Sequence, residues 1–235
     1  MSALVCLDDL SVTRDGVPVL RHVTLNLEPG ERVAVVGANG AGKTTLLRAI
    51  VGLERKVEGC IRLFGAVCGD EKQFRAQRPR IGFLFQDSDD QLFCPTVIED
   101  IAFGPLNIGC TEAQAFRRGH EALEELGIGY LADRISHRLS GGEKRLVCLA
   151  GLLAMKPEVL LLDEPTNGVD AEHGERLRTA LRTFPGAMLL VSHDDAFVAQ
   201  LATRALVLRQ GQLVAAQIHT HAHMHSHPHV HPTSS

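Results

Sequence analysis

Arg32-Val33-Ala34-Val35-Val36-Gly37-Ala38-Asn39-Gly40-Ala41-Gly42-Lys43-Thr44-Thr45 joins an apolar run to a glycine-rich string that ends in a lysine and two threonines. The apolar run over 32–36 predicts a buried strand, and a helix is predicted from Lys43 to Val51. Between them, residues 37–44 fit G-x-x-x-x-G-K-[ST] in full. Glycines let the backbone curl tightly, so that its N–H groups point inward at phosphate oxygens. The N-terminal end of the following helix adds positive potential. Lys43 is placed to reach the β- and γ-phosphates of a nucleotide, and the Thr44 hydroxyl to hold Mg²⁺.

Working outward, residues 4–13 and 17–27 read as β segments around a turn at Arg14-Asp15-Gly16. Val57–Phe64 and Arg80–Phe85 are further strand candidates. The spacing turns helical over 97–127, including Ala113–Leu126, with Gly127 as a C-terminal stop. Val159-Leu160-Leu161-Leu162 is an apolar run of the kind found in parallel strands covered on both faces. Helix 171–183, strand 187–191, helix 195–202 and strand 204–209 then alternate, and Gln210-Gly211 turns into a last strand near 212–218. The pattern predicts an α/β fold, with a mainly parallel core sheet, an antiparallel β part and a helical insertion.

Two more clusters carry chemistry. Leu160-Leu161-Leu162-Asp163-Glu164-Pro165 puts adjacent carboxylates at the end of a buried strand. Beside a nucleotide, Asp163 would bind Mg²⁺, and Glu164 would orient and activate the attacking water as a general base. Leu139-Ser140-Gly141-Gly142-Glu143 opens a helix with a serine and two glycines. It reads either as a second phosphate-binding surface, offered to a partner chain, or as an ordinary cap by Ser140.

With these motifs in place, residues 3–217 resemble the nucleotide-binding subunits of ABC transporters. Gly37–Thr45 looks like the Walker A loop, Gln86 like the Q-loop glutamine, and Leu139–Glu143 like the signature motif. Leu160–Glu164 is similar to Walker B, Asn167-Gly168-Val169-Asp170 to the D-loop, and His193 to the switch histidine. The resemblance implies a P-loop NTPase core, an antiparallel β subdomain and a helical subdomain carrying the signature motif. It implies a head-to-tail dimer, homomeric or heteromeric, that sandwiches two ATP molecules. Ser140, Gly141 and Gly142 would then meet the nucleotide of the opposite chain, and His193 would contact the γ-phosphate. Gln86, with Thr44 and Asp163, would surround Mg²⁺. One position departs from the family. An aromatic usually stacks on adenine where this chain has Arg14, so Arg14 either stacks through its guanidinium plane or is a solvated turn residue.

Gln86–Val97 and Glu99–Asn107 resemble the corresponding stretch of energy-coupling-factor transporters, especially the cobalt and nickel subgroup. Leu92, Phe93 and Val97, beside Asp89 and Asp90, form either a groove for a helix of a membrane subunit or a helix face turned to the chain's own core. The tail, residues 218–235, alternates His219, His221, His223, His225, His227, His229 and His231 with other residues. Neutral imidazoles ligate Ni²⁺, Co²⁺, Cu²⁺ and Zn²⁺, so the tail reads as a metal-binding segment that is disordered without metal; the other reading is an affinity tag or a neutral polar tail. A vitamin importer of the same architecture and a soluble ABC ATPase are the competing functions.

Composition excludes other classes. With 24 basic and 28 acidic residues the chain has no electrostatic footprint for nucleic acid. No stretch approaches the ~20 apolar residues of a membrane span, and residues 1–9 lack the pattern of a signal peptide. The expected place is therefore the cytoplasmic face of the membrane, bound to transmembrane coupling and substrate-binding subunits. The 6 cysteines show no metal-ligand spacing and read as reduced thiols, with Cys148 in a core.

Overall fold

The computed structural model describes residues 3–217. Strands β1 (Val5–Arg14) and β2 (Val17–Leu27) pair antiparallel around Asp15-Gly16, both at positive φ, as a two-residue hairpin turn requires. Strand β3 (Arg32–Val36) leads through the glycine loop into helix α1 (Lys43–Ile50). Strands β4 (Val57–Leu63) and β5 (Ala66–Val67) return to β1, completing a four-stranded antiparallel sheet in the order β2-β1-β4-β5.

Helix α2 (Glu71–Gln77) was not foreseen from the apolar pattern. Its start is a capping box: the Asp70 side chain accepts from the Gln73 N–H, and the Gln73 side chain accepts from the Asp70 N–H. Strand β6 (Ile81–Leu84) then enters the second sheet, and helices α3 (Val97–Asn107) and α4 (Glu112–Glu125) form the helical part. The helical region 97–127 is thus two helices, separated at Gly109, which has a φ of 91°. Gly127 ends α4, as expected.

Helix α5 (Gly141–Ala154) precedes strand β7 (Val159–Asp163), helix α6 (Ala171–Thr183), strand β8 (Ala187–Val191) and helix α7 (Asp195–Leu201). Strands β9 (Arg204–Arg209) and β10 (Gln212–Ala216) close the described chain around Gln210-Gly211. The second sheet has the order β10-β9-β3-β8-β7-β6, parallel throughout except for β10.

Period-two alternation explains why β3, β7 and β8 are apolar at every position except Arg32 and Asp163. Ala34, Leu160, Leu162, Met188 and Leu190 face one core with α3, α4, α5, α6 and α7. Val33, Val35, Leu161, Leu189 and Val191 face a second core with α1 and the antiparallel sheet. Both faces of the parallel sheet are therefore covered, and the functional loops can emerge only at its edges and strand ends. The carboxyl ends of β3, β7 and β8 lie side by side, which is where open α/β sheets place ligands.

Candidate functional site

The loop after β3 is shaped by steric necessity. A Cβ on Gly37, which has a φ of 151°, would stand 2.5 Å from the Leu208 carbonyl oxygen. On Gly42 it would stand 2.8 Å from Val19 Cγ1. Lys43 is buried, and its Nζ donates to the Gly37 carbonyl at 2.8 Å and the Ala38 carbonyl at 3.1 Å. The ammonium is thereby folded back over the loop, at the N-terminus of α1.

Strand β7 delivers the carboxylates. Asp163 is 1% exposed, and neither of its oxygens has a hydrogen-bond partner. Burial pushes its pKa up, while the neighbouring Thr44 hydroxyl, Arg145 and Lys43 pull the other way. An orphaned buried carboxylate beside a hydroxyl is a donor set suited to a hard cation such as Mg²⁺. Glu164 follows at a φ of 46°, a left-handed conformation that costs a non-glycine residue roughly 1–3 kcal/mol. Its Oε2 accepts from the His193 N–H at 3.2 Å and pairs with the His193 Nδ1 at 2.8 Å. The His193 ring is otherwise open to solvent, whereas the Glu164 carboxylate is nearly buried.

Lys43, Thr44, Asp163, Glu164 and His193 line one pocket of about 870 Å³, together with Arg14, Val19, Asn39, Gly40, Gly42, Thr45 and Gln86. Arg14 stands at the β1–β2 turn and is held 3.6 Å from the buried Glu54 carboxylate, which Arg48 also pairs at 3.0 Å. So Arg14 lines the pocket wall while its side chain stays half exposed, which leaves both readings of this position open.

Ser140, Gly141 and Gly142 lie outside that pocket. Ser140 Oγ accepts from the Glu143 N–H at 3.3 Å, and Glu143 Oε2 accepts from the Ser140 N–H at 2.8 Å. The bond from the Ser140 N–H to the carboxylate, foremost, holds the Glu143 pKa down. Both readings of this motif are therefore compatible: the serine caps its helix, and the helix end still faces outward. A Cβ on Gly142 would meet the Asp170 side chain at 2.9 Å and the His173 ring at 3.0 Å, so a larger residue there would have to push these side chains aside.

The segment after Gln86 corrects one expectation. Val97 is 0% exposed and belongs to the core, not to a surface groove. Leu92 is half-buried against that core. Phe93 is 64% exposed and packs edge-on against Phe103, itself 44% exposed, with ring centroids 4.7 Å apart. A shallow groove lined by Leu92, Phe93, Phe103, Leu152 and Met155 runs beside them. Asp89 is paired with Lys144 at 2.5 Å.

Arg145 escaped the sequence reading. It sits on the buried stripe of α5 with Gly142, Cys148 and Leu149, and a charge at that spacing is the signal that could have exposed it. The tail histidines, from His219 to His231, lie outside the described residues. Among the described residues no group of His, Cys, Asp and Glu has the geometry of a metal site, and no helix is long and apolar enough to cross a membrane.

Comparison with known proteins agrees with this geometry. Residues 20–167 match the family model described as ABC transporter. The chain is 53% identical over 222 residues to a putative ABC transporter ATP-binding protein of Brucella suis, covering 94% of this chain and 92% of the relative. It is 47% identical to the cobalt import ATP-binding protein CbiO of Rhodobacter capsulatus, over 85% and 73% of the two chains. Among solved structures it resembles cbiO1 of Clostridium perfringens, described as part of the ABC transporter complex cbiONQ. There the TM-score is 0.80 at 31% identity, covering 91% of this chain and 88% of the other. The chain belongs to the ABC transporter family, as an ATP-binding subunit of the cobalt/nickel energy-coupling-factor type that hydrolyses ATP.

Proposed function

We propose that the chain powers import of cobalt or nickel ions by coupling ATP binding and hydrolysis to movement of separate membrane-spanning subunits. The observation that carries the proposal is the proximity of two features around Gln86. On one side it lines the nucleotide pocket; a few residues later in the chain come the exposed rings of Phe93 and the apolar groove. Exposed aromatic rings beside an apolar groove suit a helix of a partner. The names of the relatives from Rhodobacter and Clostridium support the transport class and the metal.

In this reading the N–H groups of residues 37–42, with Lys43, bind the β- and γ-phosphates of ATP. Thr44, Asp163 and Gln86 would hold Mg²⁺, which when bound neutralises charge on the phosphate oxygens. Thr45, next to Thr44, completes the loop. Glu164 takes a proton from the attacking water with the carboxylate oxygen that His193 leaves free. His193 orients Glu164 until ATP draws the exposed ring to the γ-phosphate. Ser140, Gly141 and Gly142 act on the nucleotide of the opposite chain of a dimer. ATP, with its Mg²⁺, is thus enclosed between two subunits that sit peripherally on the cytoplasmic face of the membrane. The histidine tail binds transition metal separately from this chemistry.

Recovery of the chain from solubilised membranes, with identification of the bound polypeptides and metals, tests the proposal. Membrane-spanning subunits should accompany it, and Glu164→Gln should keep ATP binding while losing most hydrolysis. Recovery alone, or near-normal turnover in that variant, would contradict the corresponding part.

A further inference from the structure

Arg145 is 1% exposed, the most deeply buried charge in the described chain apart from the similarly hidden Asp163. A guanidinium carries five N–H donors. Here all of them are engaged, and every acceptor is a backbone carbonyl. Nε donates to Pro165 at 2.9 Å. Nη2 donates to Asp163 at 2.7 Å and to Glu164 at 2.6 Å. Nη1 donates to Gln86 at 3.2 Å and to Phe85.

These acceptors come from two segments far apart in the sequence, the turn after β7 and the loop after β6. The turn contains Glu164 in its left-handed conformation, which persists only if its surroundings over-determine it. Three consecutive carbonyls gathered on one planar cation do that. The loop carries Gln86 into the nucleotide pocket. The cation itself rides on α5, three residues after Gly142, so the helix end that carries Ser140 is tied to both segments. No carboxylate is among its bonding partners, and the cost of burying the cation is offset by these carbonyl dipoles together with the nearby charges of Asp163, Asp87 and Glu164. Such a cost is out of proportion to a packing role that a leucine could fill on the same stripe.

We propose that Arg145 is a positioning residue for ATP hydrolysis, which fixes the backbone on both sides of Glu164 to the Gln86 loop and to the signature end of α5. The proposal rests on Glu164 being the base. It also gives the physical link between α5 and catalysis: a displacement of α5 relative to β7 must either carry the turn at 163–165 with it or break these bonds.

Lysine keeps the charge but has three donors radiating from one atom, which cannot span five carbonyls; glutamine has two. The test is single-turnover hydrolysis by Arg145→Lys and Arg145→Gln, each also combined with Glu164→Gln, with every rate divided by the ATP bound per chain. The affinity for ATP should stay within about threefold. The rate per bound ATP should fall about 10- to 100-fold, the scale on which partners that orient a site's ligands act, with lysine the milder change. In the Glu164→Gln background neither change should lower the residual rate further, because residues acting as a unit are not additive. An equal fall in both backgrounds would overturn the proposal. So would a loss carried only by the number of ATP molecules bound, which would make Arg145 a folding residue. Near-normal hydrolysis by Glu164→Gln alone would overturn the assignment of Glu164 itself, and the route through it, whatever the arginine variants do.

Discussion

Helices α1 and α5 both begin at glycines, Gly42 just before the first and Gly141 and Gly142 in the first turn of the second. Their surroundings differ. Before α1, the loop closes around Lys43, and the carboxylates of β7 stand across a pocket that belongs to the same chain. Before α5, Ser140 and Glu143 satisfy each other in a capping box, and neither Ser140 nor Gly141 lines the nucleotide pocket. One helix end therefore completes a site within the chain. The other lies outside that site, and in the proposed dimer its counterpart is the pocket of a second copy in the opposite orientation. The same type of local structure is used twice, and only tertiary context separates the two uses.

Removing the α1 side of this comparison should have the largest effect. Lys43→Ala takes away the one ammonium folded over the loop. Hydrolysis should fall by at least ~10²–10³-fold, the range for losing one preorganised donor to a developing charge. ATP affinity, measured by calorimetry, should fall with it. Ser140→Arg attacks the α5 side. ATP binding by the isolated chain should stay within a few-fold, while steady-state turnover drops about 10²-fold. Loss of its cap should lower stability by only about 1 kcal/mol, visible in a thermal melt. If Ser140→Arg instead abolished binding by the isolated chain, the two helix ends would serve a single pocket.

Phe93→Asp leaves both helix ends intact. It should weaken capture by membrane subunits by about 30-fold or more, as for an interface residue contributing ~2 kcal/mol, with basal hydrolysis and circular dichroism unchanged. The smallest effect should come from Arg14→Ala, at the far end of the α1 pocket. A stacking cation contributes roughly 0.5–2 kcal/mol, so the KM for ATP should rise about 2- to 30-fold with kcat preserved. Unchanged KM would place the base away from the β1–β2 turn.

Much of the α1 side was legible because it is local. Gly37, Gly42 and Lys43 form one contiguous string, and the apolar runs of β3, β7 and β8 announce strands covered on both faces. The α5 motif was legible as a helix start but ambiguous in use, since Ser140 caps the helix in either case. What failed depended on facing. Val97 and Phe93 are equally apolar in sequence, yet one opens α3 and faces the core while the other is held out against Phe103. Helix α2 was missed because it buries only Phe74, too little for an apolar stripe, although Asp70 and Gln73 marked its start. Arg145 could not be understood before folding, because its acceptors lie at Phe85–Gln86 and Asp163–Pro165.

The central claim is that each nucleotide site joins the α1 side of one chain to the α5 side of another. Mixing Lys43→Ala chains with Ser140→Arg chains tests it most directly. Each variant alone should be nearly inactive, since every site in either dimer lacks one half. In an equal mixture about half of the dimers are mixed and hold one intact site of two, so single-turnover hydrolysis should recover to about a quarter of the unmutated level. A mixture no more active than its two components would contradict the claim.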